Sequence, residues 1–393
     1  MDKISEILNK YSEEIIRNRR KIHECPELGG EEVKTSDFIV EELKKMNIEV
    51  KTGFAKTGIQ GMLYGKNRDK TIMIRADIDA LPIEELNEID YKSKEKGKMH
   101  ACGHDVHTAA VLGAAKILSE LREELNGNVK FCFQPAEETV GGADLMVEDG
   151  ILENPKVDYV IGMHVEPNKK LGTAAIEPGP VTSYPDFFEI KLIGKGGHGS
   201  FPAKAIDPIL PAVEIYNQLN LISKKISPLE PCVVQICKIQ AGNYNAIIPD
   251  EAELAGTVRT LSKTNREKVK SLMEKIVKNI SEIYDVRYDL YYRGKTFPVM
   301  NKTEYVDKVK ESVKNIFTDG FVKDENFKIG GDDFCFFSEN IPATFLIVGS
   351  ANEDKSTQFP LHNPRFNVDE KVILKGAEAF SRIAIDYLND KYD

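Results

Sequence analysis

Residues 99–124 read MHACGHDVHTAAVLGAAKILSELREE and concentrate the metal-binding side-chain types of the chain. Three of the seven histidines and one of the six cysteines fall within residues 100–107. A run of apolar, helix-forming residues follows at once, so the pattern predicts a helix from Asp105 to Leu125. Thiol and imidazole groups at a loop-to-helix junction are typical of a transition-metal site.

Apolar, β-branched runs surround this helix in the sequence: residues 71–78, 129–134 and 157–165. Each run ends at carboxylate or imidazole side chains: Asp77 and Asp79, Glu137 and Glu138, and His164. Strands that alternate with helices predict an α/β fold with a mixed, largely parallel sheet and flanking helices. Functional residues gather beyond the carboxyl ends of such strands, so we expect these side chains along one rim of the sheet.

The pattern changes between residues 182 and 296, where the predicted elements follow the order β-α-β-β-α-β. This order resembles a ferredoxin-like α+β unit with an antiparallel sheet and exposed edge strands. A length of 393 residues also favours two domains over a single core. We therefore predict a discontinuous metal-binding catalytic domain, residues 1–181 and 297–393, and an inserted lid and dimerisation domain, residues 182–296.

The composition argues against several other classes of protein. The formal net charge is −10, and the absence of a dense Lys/Arg block gives no support to nucleic-acid binding. No apolar run approaches the roughly 20 residues that a membrane-spanning helix needs. The N-terminal sequence MDKISE lacks the apolar core of a signal peptide, and the scattered cysteines favour reduced thiols. We therefore expect a cytoplasmic protein.

Each candidate residue also has an ordinary structural explanation. The Cys102–His104 turn could hold a buried thiol beside a helix-capping histidine. Adjacent carboxylates such as Glu137 and Glu138 are usually a solvated surface pair, and lone histidines such as His164 and His362 are more often structural than ligands. The glutamate pair favours catalysis in this context, because one carboxylate can bind a metal while its neighbour accepts a proton from water.

Nine motifs between residues 19 and 366 resemble the dinuclear metallo-amidohydrolases related to aminoacylases and carboxypeptidases. The branch is that of bacterial N-acyl-amino-acid amidohydrolases, hippurate hydrolases and plant auxin-conjugate hydrolases. The motifs are RRKIHECPELGGEE, RADIDALPIEE, MHACGHDVHTAAVLGAA, FQPAEETVGGADLMVEDG, GMHV, GKGGHGSFPAKAIDP, NAIIPDEAELAGTVR, GGDDFCFF and LHNPRF. The resemblance implies a zinc-exopeptidase-like catalytic domain that cleaves N-acyl-L-amino acids into a carboxylic acid and a free amino acid.

Other activities remain open on the same scaffold. A carboxypeptidase or dipeptidase would differ in whether the acyl group is a simple acid or an amino acid, and an N-acetyl-diaminopimelate deacetylase is a further alternative. A non-catalytic two-domain binding protein is the remaining one. The adjacent glutamates argue against it, because a structural metal site does not need a second carboxylate as base.

The resemblance also implies roles for individual residues. Two divalent metal ions (Zn, Mn, Co or Ni) would be held by five ligands, with the cysteine in the bridging place: Cys102, His104, Glu138, His164 and His362. Glu137 is implied as the general base of a hydrolysis by metal-activated water, and Asp77 as an active-site acid. Which of Asp77 and Asp79 orients a ligand imidazole stays open. His100 and His107 are expected to be supporting or structural.

The inserted domain supplies further candidates. His198, in GKGGHGS, lies in a predicted loop, and the resemblance implies that it stabilises the oxyanion in the active site of a partner subunit. Asn245 and Arg259 match positions associated with the substrate's carboxylate or oxyanion, and the guanidinium fork of arginine suits a carboxylate. An edge strand of this domain could pair across a two-fold axis, so we expect a homodimer or a tetramer.

Overall fold

The computed structural model of the chain describes residues 2–139, 141–324, 327–339 and 341–392. The chain forms two compact units. The first comprises Met1–Val181, Val299–Asp324 and Asp333–Asp393, and the second comprises Thr182–Pro298 and Glu325–Asp332. The predicted inserted domain thus falls in the second unit, which also takes a short later segment that the sequence analysis assigns to the catalytic domain. Within the described ranges, no helix is long and apolar enough to cross a membrane.

Both units combine helices and strands. The strands found in the described residues are β1 (Glu49–Phe54), β2 (Gly58–Tyr64), β3 (Thr71–Asp77), β4 (Asn128–Gln134), β5 (Tyr159–Lys170), β6 (Thr173–Ala175), β7 (Gly179–Pro180), β8 (Tyr184–Ile193), β9 (Gly197–His198), β10 (Cys232–Ala241), β11 (Ile247–Ile248), β12 (Glu251–Thr260), β13 (Arg287–Arg293), β14 (Met300–Asn301), β15 (Gly320–Phe321) and β16 (Ala343–Ala351). The α-helices are α1 (Lys3–Glu24), α2 (Val33–Lys45), α3 (His104–Glu120), α4 (Ala143–Glu148), α5 (Ile209–Leu219), α6 (Lys263–Ile283), α7 (Thr303–Val313), α8 (Cys335–Ser338) and α9 (Lys371–Leu388).

An eight-stranded mixed sheet forms the centre of the first unit, in the order β1-β2-β4-β3-β5-β16-β6-β15. The central strands β4, β3, β5 and β16 run parallel to one another, whereas β1, β2 and β4 pair antiparallel. Strands β3, β4 and β16 are buried at every position, which explains why they read as continuous apolar runs. The predicted α/β class with a mixed, largely parallel sheet is confirmed.

One strand extends farther than the sequence pattern predicts. The pattern ends the third run at His164, but β5 continues to Lys170 because β16 pairs beside it as far as Gly349 and again at Ala351. The register nevertheless keeps His164 near the rim. Gly162 lies opposite Arg75, so His164, two residues later, is level with Asp77, the last residue of β3.

Helix α3 is buried along most of its length. It packs against α1, α9 and β3, and residues 104–115 are all buried. Four of its buried residues are alanines, and a Cβ atom on Gly113 would lie 2.8 Å from Ala377 of α9, so small residues let the neighbouring helices approach closely. The helix ends at Glu120, earlier than predicted, and a short 3₁₀ turn follows at Arg122–Glu124. The packing therefore holds the N-terminal turn of α3, with His104, in one place.

The second unit is a ferredoxin-like α+β fold. Its antiparallel sheet has the order β10-β12-β8-β13, and an apolar core joins one face of the sheet to α5 and α6. The predicted β-α-β-β-α-β order is confirmed. The predicted loop around GKGGHGS is wrong in one detail, because β9 pairs with β11 in a small two-stranded sheet of its own.

Candidate metal centre

All five side chains predicted as metal ligands meet in the first unit: Cys102, His104, Glu138, His164 and His362. The ligand atoms of Cys102, His104 and His164 lie within 4.8 Å of one another, and so do those of Cys102, Glu138 and His362. The thiol of Cys102 thus belongs to both groups. A thiol shared by two sets of nitrogen and oxygen ligands suits two neighbouring divalent ions.

A glycine makes the turn between Cys102 and His104 possible. Gly103 has a φ of +90°, in the left-handed region that side chains other than glycine rarely adopt. A Cβ atom at this position would also lie 2.5 Å from the Val165 side chain on β5. Any other residue at 103 would therefore displace the start of α3 and the two candidate ligands beside it.

Hydrogen bonds decide which nitrogen of each histidine faces the site. Nδ1 of His164 donates to the main-chain oxygen of Val165 at 2.7 Å, and Nδ1 of His104 donates to that of Asp79 at 2.9 Å. Because a carbonyl oxygen only accepts, each ring carries a proton on Nδ1, which leaves Nε2 as the nitrogen that can bind a metal. Within the described residues, Nε2 of His104 has no hydrogen-bond partner. In metal-binding histidines, one ring nitrogen commonly donates to an oxygen of the protein while the other binds the metal.

The pKa directions of three of these side chains also fit a divalent cation. Burial and the nearby Glu138 carboxylate raise the pKa of the Cys102 thiol well above its usual range. Burial lowers the pKa of His164 well below its usual range, so that imidazole is neutral. Burial would raise the pKa of Glu138, but contacts with His362 and His104 lower it to about 2. A divalent cation would displace the thiol proton and balance the carboxylate, so these residues fit the implied metals.

Both adjacent glutamates lie 4.0 Å from Nε2 of His104, and Glu138 also contacts His362. The main-chain N–H of Glu138 donates to Oδ2 of Asp79 at 3.0 Å, which holds the backbone of the pair. Oε1 of Glu138 lies 3.1 Å from Nε2 of His362, and Oε2 of Glu137 lies 4.0 Å from Nε2 of His104. One carboxylate therefore joins a ligand group while its neighbour stands within reach of a small molecule bound beside His104.

Asp77 and Asp79 support different histidines. Asp79 accepts from Nδ1 of His104 through its main-chain oxygen and lies 3.2 Å from it through Oδ1. Asp77 contacts Nδ1 of His107 at 2.7 Å through Oδ1, and its Oδ2 accepts from Arg75 at 2.7 Å. Burial would raise the pKa of Asp77, but His104, Arg75 and His107 lower it well below its usual range. Asp79 is thus the carboxylate placed to orient His104.

The other two histidines of the opening stretch are placed differently. Nε2 of His107 accepts the main-chain N–H of Val165 at 3.1 Å, and Nδ1 faces Asp77, so both ring nitrogens are used within the protein. His100 is buried and lies outside the two ligand groups, and burial lowers its pKa to about 3. His107 therefore links β3 to β5 through the start of α3.

Arg75 is almost fully buried and donates to Asp77, a role that the sequence pattern did not predict. A signal was present, because an arginine inside an apolar, β-branched run must be buried with partners for its charge. The sequence pattern also did not predict the roles of Gln134 and Asp333, because their contacts with Arg75 join residues that are far apart in the sequence.

Two exposed candidates, His198 and Asn245, belong to the second unit. His198 lies on β9, is exposed, and accepts the main-chain N–H of Ser200 at 3.1 Å on Nδ1. It lines a cleft of about 750 Å³ together with residues of 240–253. Asn245 is exposed in the turn before β11 and is not part of the lining of that cleft. Their assigned roles stay predictions.

Arg259 is held more firmly than these two residues. Its Nη1 donates to the Thr257 hydroxyl and to the main-chain oxygens of Val258 at 3.0 Å and Asp186 at 3.3 Å. The guanidinium also lies 5.3 Å from the ring centroid of Phe187. Burial lowers its pKa from the usual value, although arginine remains charged in proteins. Its substrate-binding role likewise stays a prediction.

Comparison with known proteins agrees with the geometry. Residues 73–386 match the model of the peptidase family M20/M25/M40. Thermostable carboxypeptidase 2 of Saccharolobus solfataricus is 38% identical over 394 residues, 99% of each chain. The N-acyl-L-amino acid amidohydrolase of Geobacillus stearothermophilus is 40% identical over 309 residues, 77% of this chain and 82% of that one.

A solved structure agrees as well. The YXEP protein of Bacillus subtilis, described as a dinuclear metal binding peptidase from the M20 family, shares 34% identity and a TM-score of 0.84 over 97% of this chain and 99% of that one. The resemblance drawn from the motifs is confirmed. The chain belongs to the peptidase family M20/M25/M40 and is a hydrolase of the amidohydrolase and peptidase class.

Proposed function

We propose that this protein hydrolyses the amide bond of N-acyl-L-amino acids and releases a carboxylic acid and a free amino acid. The observation that carries the proposal is the pair of adjacent carboxylates beside the ligand cluster. Glu138 groups with Cys102 and His362, while Oε2 of Glu137 stands 4.0 Å from His104. A ligand and a base on consecutive residues are what amide hydrolysis by activated water requires.

Two divalent ions per chain would be held by Cys102, His104, Glu138, His164 and His362. Zinc, manganese, cobalt and nickel are the candidates, because thiolate and imidazole ligands disfavour magnesium and calcium. Such ions would polarise the scissile carbonyl and lower the pKa of the attacking water towards 7. Availability in the cell selects among them more than site affinity does.

The chain's own residues would move the proton and hold the geometry. Glu137 accepts the proton of the attacking water and passes it to the nitrogen of the leaving amine. Asp79 keeps His104 in the tautomer whose Nε2 faces the site. Asp77 acts as the active-site acidic group by fixing His107 and completing the charge balance with Arg75.

The second unit would contribute to substrate recognition. His198 would donate to the oxyanion, and Asn245 and Arg259 would bind the carboxylate of the amino-acid part. Anchored through Nη1, the guanidinium of Arg259 would present its other N–H groups to that carboxylate. We propose a homodimer, or a tetramer, through the inserted domain, in which His198 serves the partner subunit, and a cytoplasmic location.

A carboxypeptidase is the second candidate function, because thermostable carboxypeptidase 2 is 38% identical over nearly the whole chain. The two substrate classes share an amide whose amine side carries a carboxylate, so the same site could serve both. They differ in the acyl side, which is a simple acid in one and a peptide in the other.

One substrate panel tests both candidates. The protein loaded with each candidate metal is assayed for kcat/KM on N-acetyl-amino acids, N-benzoyl-amino acids and N-blocked dipeptides. Higher kcat/KM on the simple acyl amino acids supports the main proposal, and higher values on the peptides support the carboxypeptidase. Absence of hydrolysis of every member, at full metal loading, refutes both.

A further inference from the structure

Asp333 fastens both ends of the 135–142 loop, which carries the two proposed functional glutamates. Nε2 of Gln134 donates to its Oδ1 at 2.7 Å and to its Oδ2 at 2.8 Å. The main-chain N–H of Ala143 donates to Oδ2 at 2.9 Å. Gln134 is the last residue of β4 and Ala143 the first of α4, so one carboxylate closes the base of the loop.

The same carboxylate holds a buried arginine. Nη2 of Arg75 donates to Oδ1 of Asp333 at 3.0 Å, and the two side chains are 1% and 6% exposed. Nε of Arg75 donates to Oε1 of Gln134 at 2.7 Å, and Nη1 donates to Oδ2 of Asp77 at 2.7 Å. Asp333 is therefore joined both to the glutamate loop and to the carboxylate that holds His107.

The backbone beside Asp333 is anchored to the central sheet. Phe334 is fully buried, and its ring lies 4.8 Å from that of Phe345 on β16. A Cβ atom on Gly162 of β5 would lie 2.8 Å from the Phe334 ring, so the ring fits against the strand only because residue 162 is a glycine. Because Phe334 packs against β5 and β16, the neighbouring Asp333 holds the ends of the loop in a fixed position relative to these strands.

We propose that Asp333 is a positioning residue for the hydrolysis, which sets the place of the base Glu137 and of the ligand Glu138 relative to the other metal ligands. The inference rests on the proposed function. The partners of the Asp333 carboxylate named here are all N–H donors, and an ionised carboxylate offers acceptors only. The amide NH₂ group of an asparagine would face one of these N–H donors, so at least one of the hydrogen bonds to residue 333 would be lost.

Asp333→Asn is the first test, on the metal-loaded protein. At equal metal content we expect kcat to fall about 10- to 100-fold, because a small displacement of a base has effects of this size, while KM stays near wild type. Asp158→Asn is the matched control. Asp158 accepts the N–H of Thr71 at the opposite end of β3, and this variant should keep its kcat. Wild-type kcat in Asp333→Asn would overturn the inference.

A double-mutant cycle with Glu137→Gln separates positioning from independent effects. If Asp333 acts through Glu137, the Asp333 substitution should reduce kcat little further once the base is absent. Two losses that multiply in full would show that Asp333 acts by another route and would overturn the inference.

Gln134→Met is a second test, which still applies if Asp333→Asn does not fold. Methionine has a shape similar to that of glutamine. It removes the hydrogen bonds from the Gln134 amide to Asp333 and leaves the Arg75–Asp333 ion pair. We expect a smaller loss of kcat in the same direction, and unchanged kcat would contradict the proposed fastening of the loop.

Hydrogen exchange measured by mass spectrometry provides a readout that needs no turnover. In Asp333→Asn we expect faster exchange confined to peptides that cover residues 134–143, in metal-free and metal-loaded protein alike. Faster exchange throughout the first unit would indicate a merely structural role and overturn the inference. If wild-type protein cleaves no substrate yet the local exchange effect is present, the proposed function fails while the fastening of the loop stands.

Discussion

His104 and His164 of the first unit are buried and held by hydrogen bonds, whereas His198 and Asn245 of the second unit are exposed. His104 and His164 are 1% and 4% exposed, and each donates its Nδ1 proton to a main-chain oxygen. His198 is exposed, with one main-chain N–H donating to its ring. Metal ligands must be held in advance, because coordination tolerates little displacement, while groups that meet a substrate must remain reachable. Substitutions in the two units should therefore fail in different ways.

The largest effect is expected at the proposed base. Glu137→Gln keeps the shape of the side chain and removes its ability to accept a proton, so turnover should fall about 10²- to 10⁴-fold. Metal content and unfolding temperature should stay close to wild type. The control is Glu148→Gln, an exposed glutamate on nearby α4. Steady-state kinetics and metal analysis test this prediction. Wild-type turnover in Glu137→Gln would exclude Glu137 as the base.

His198→Ala should affect turnover alone. Loss of an oxyanion donor costs about 10²- to 10³-fold in kcat, and an exposed side chain contributes little to stability. Metal content and unfolding temperature should therefore not change. Ser200→Ala is the matched control, since it keeps the main-chain N–H that contacts His198. A loss of bound metal in His198→Ala would contradict the division of roles between the two units.

Asp79→Asn should act on the metal site first. It weakens the support of Nδ1 of His104, and loss of such a partner lowers metal affinity or activity about 10- to 100-fold. Competition with a chelator gives the affinity, and circular dichroism checks the fold. Asp158→Asn, remote from the ligands, should bind metal normally. Unchanged affinity in Asp79→Asn would show that the main-chain oxygen of residue 79 suffices.

The smallest effect is the pH dependence of metal binding. Burial and Glu138 raise the pKa of the Cys102 thiol well above its usual range, so the thiol is protonated in the metal-free protein. Binding must release that proton, which means that affinity rises with pH, by about tenfold per unit for each proton released. Affinities measured between pH 6 and 8 test the sign. Cys102→Ser should flatten the dependence, and an equal slope in that variant would exclude the thiol as the titrating ligand.

Much of the fold was predictable from local pattern. The apolar runs and helical spacing place β3, β4, α3 and the ferredoxin-like order of the second unit within a few residues of their observed bounds. Helix ends were less predictable: α3 ends at Glu120 rather than at Leu125, because the chain turns into a 3₁₀ helix at Arg122–Glu124. The predicted end of β5 was wrong, because the length of this strand depends on pairing with β16, which is distant in sequence.

The sequence by itself determined which residue types could perform the chemistry. Cys102-Gly103-His104 and Glu137-Glu138 are local features, and the positive φ of Gly103 belongs to the local turn between two candidate ligands. The structure alone decided how they meet. The level of His164 beside Asp77 follows from strand register, and the fastening of the glutamate loop depends on Asp333, which is 258 residues from Arg75. Such contacts arise from packing between distant segments, and no local pattern specifies them.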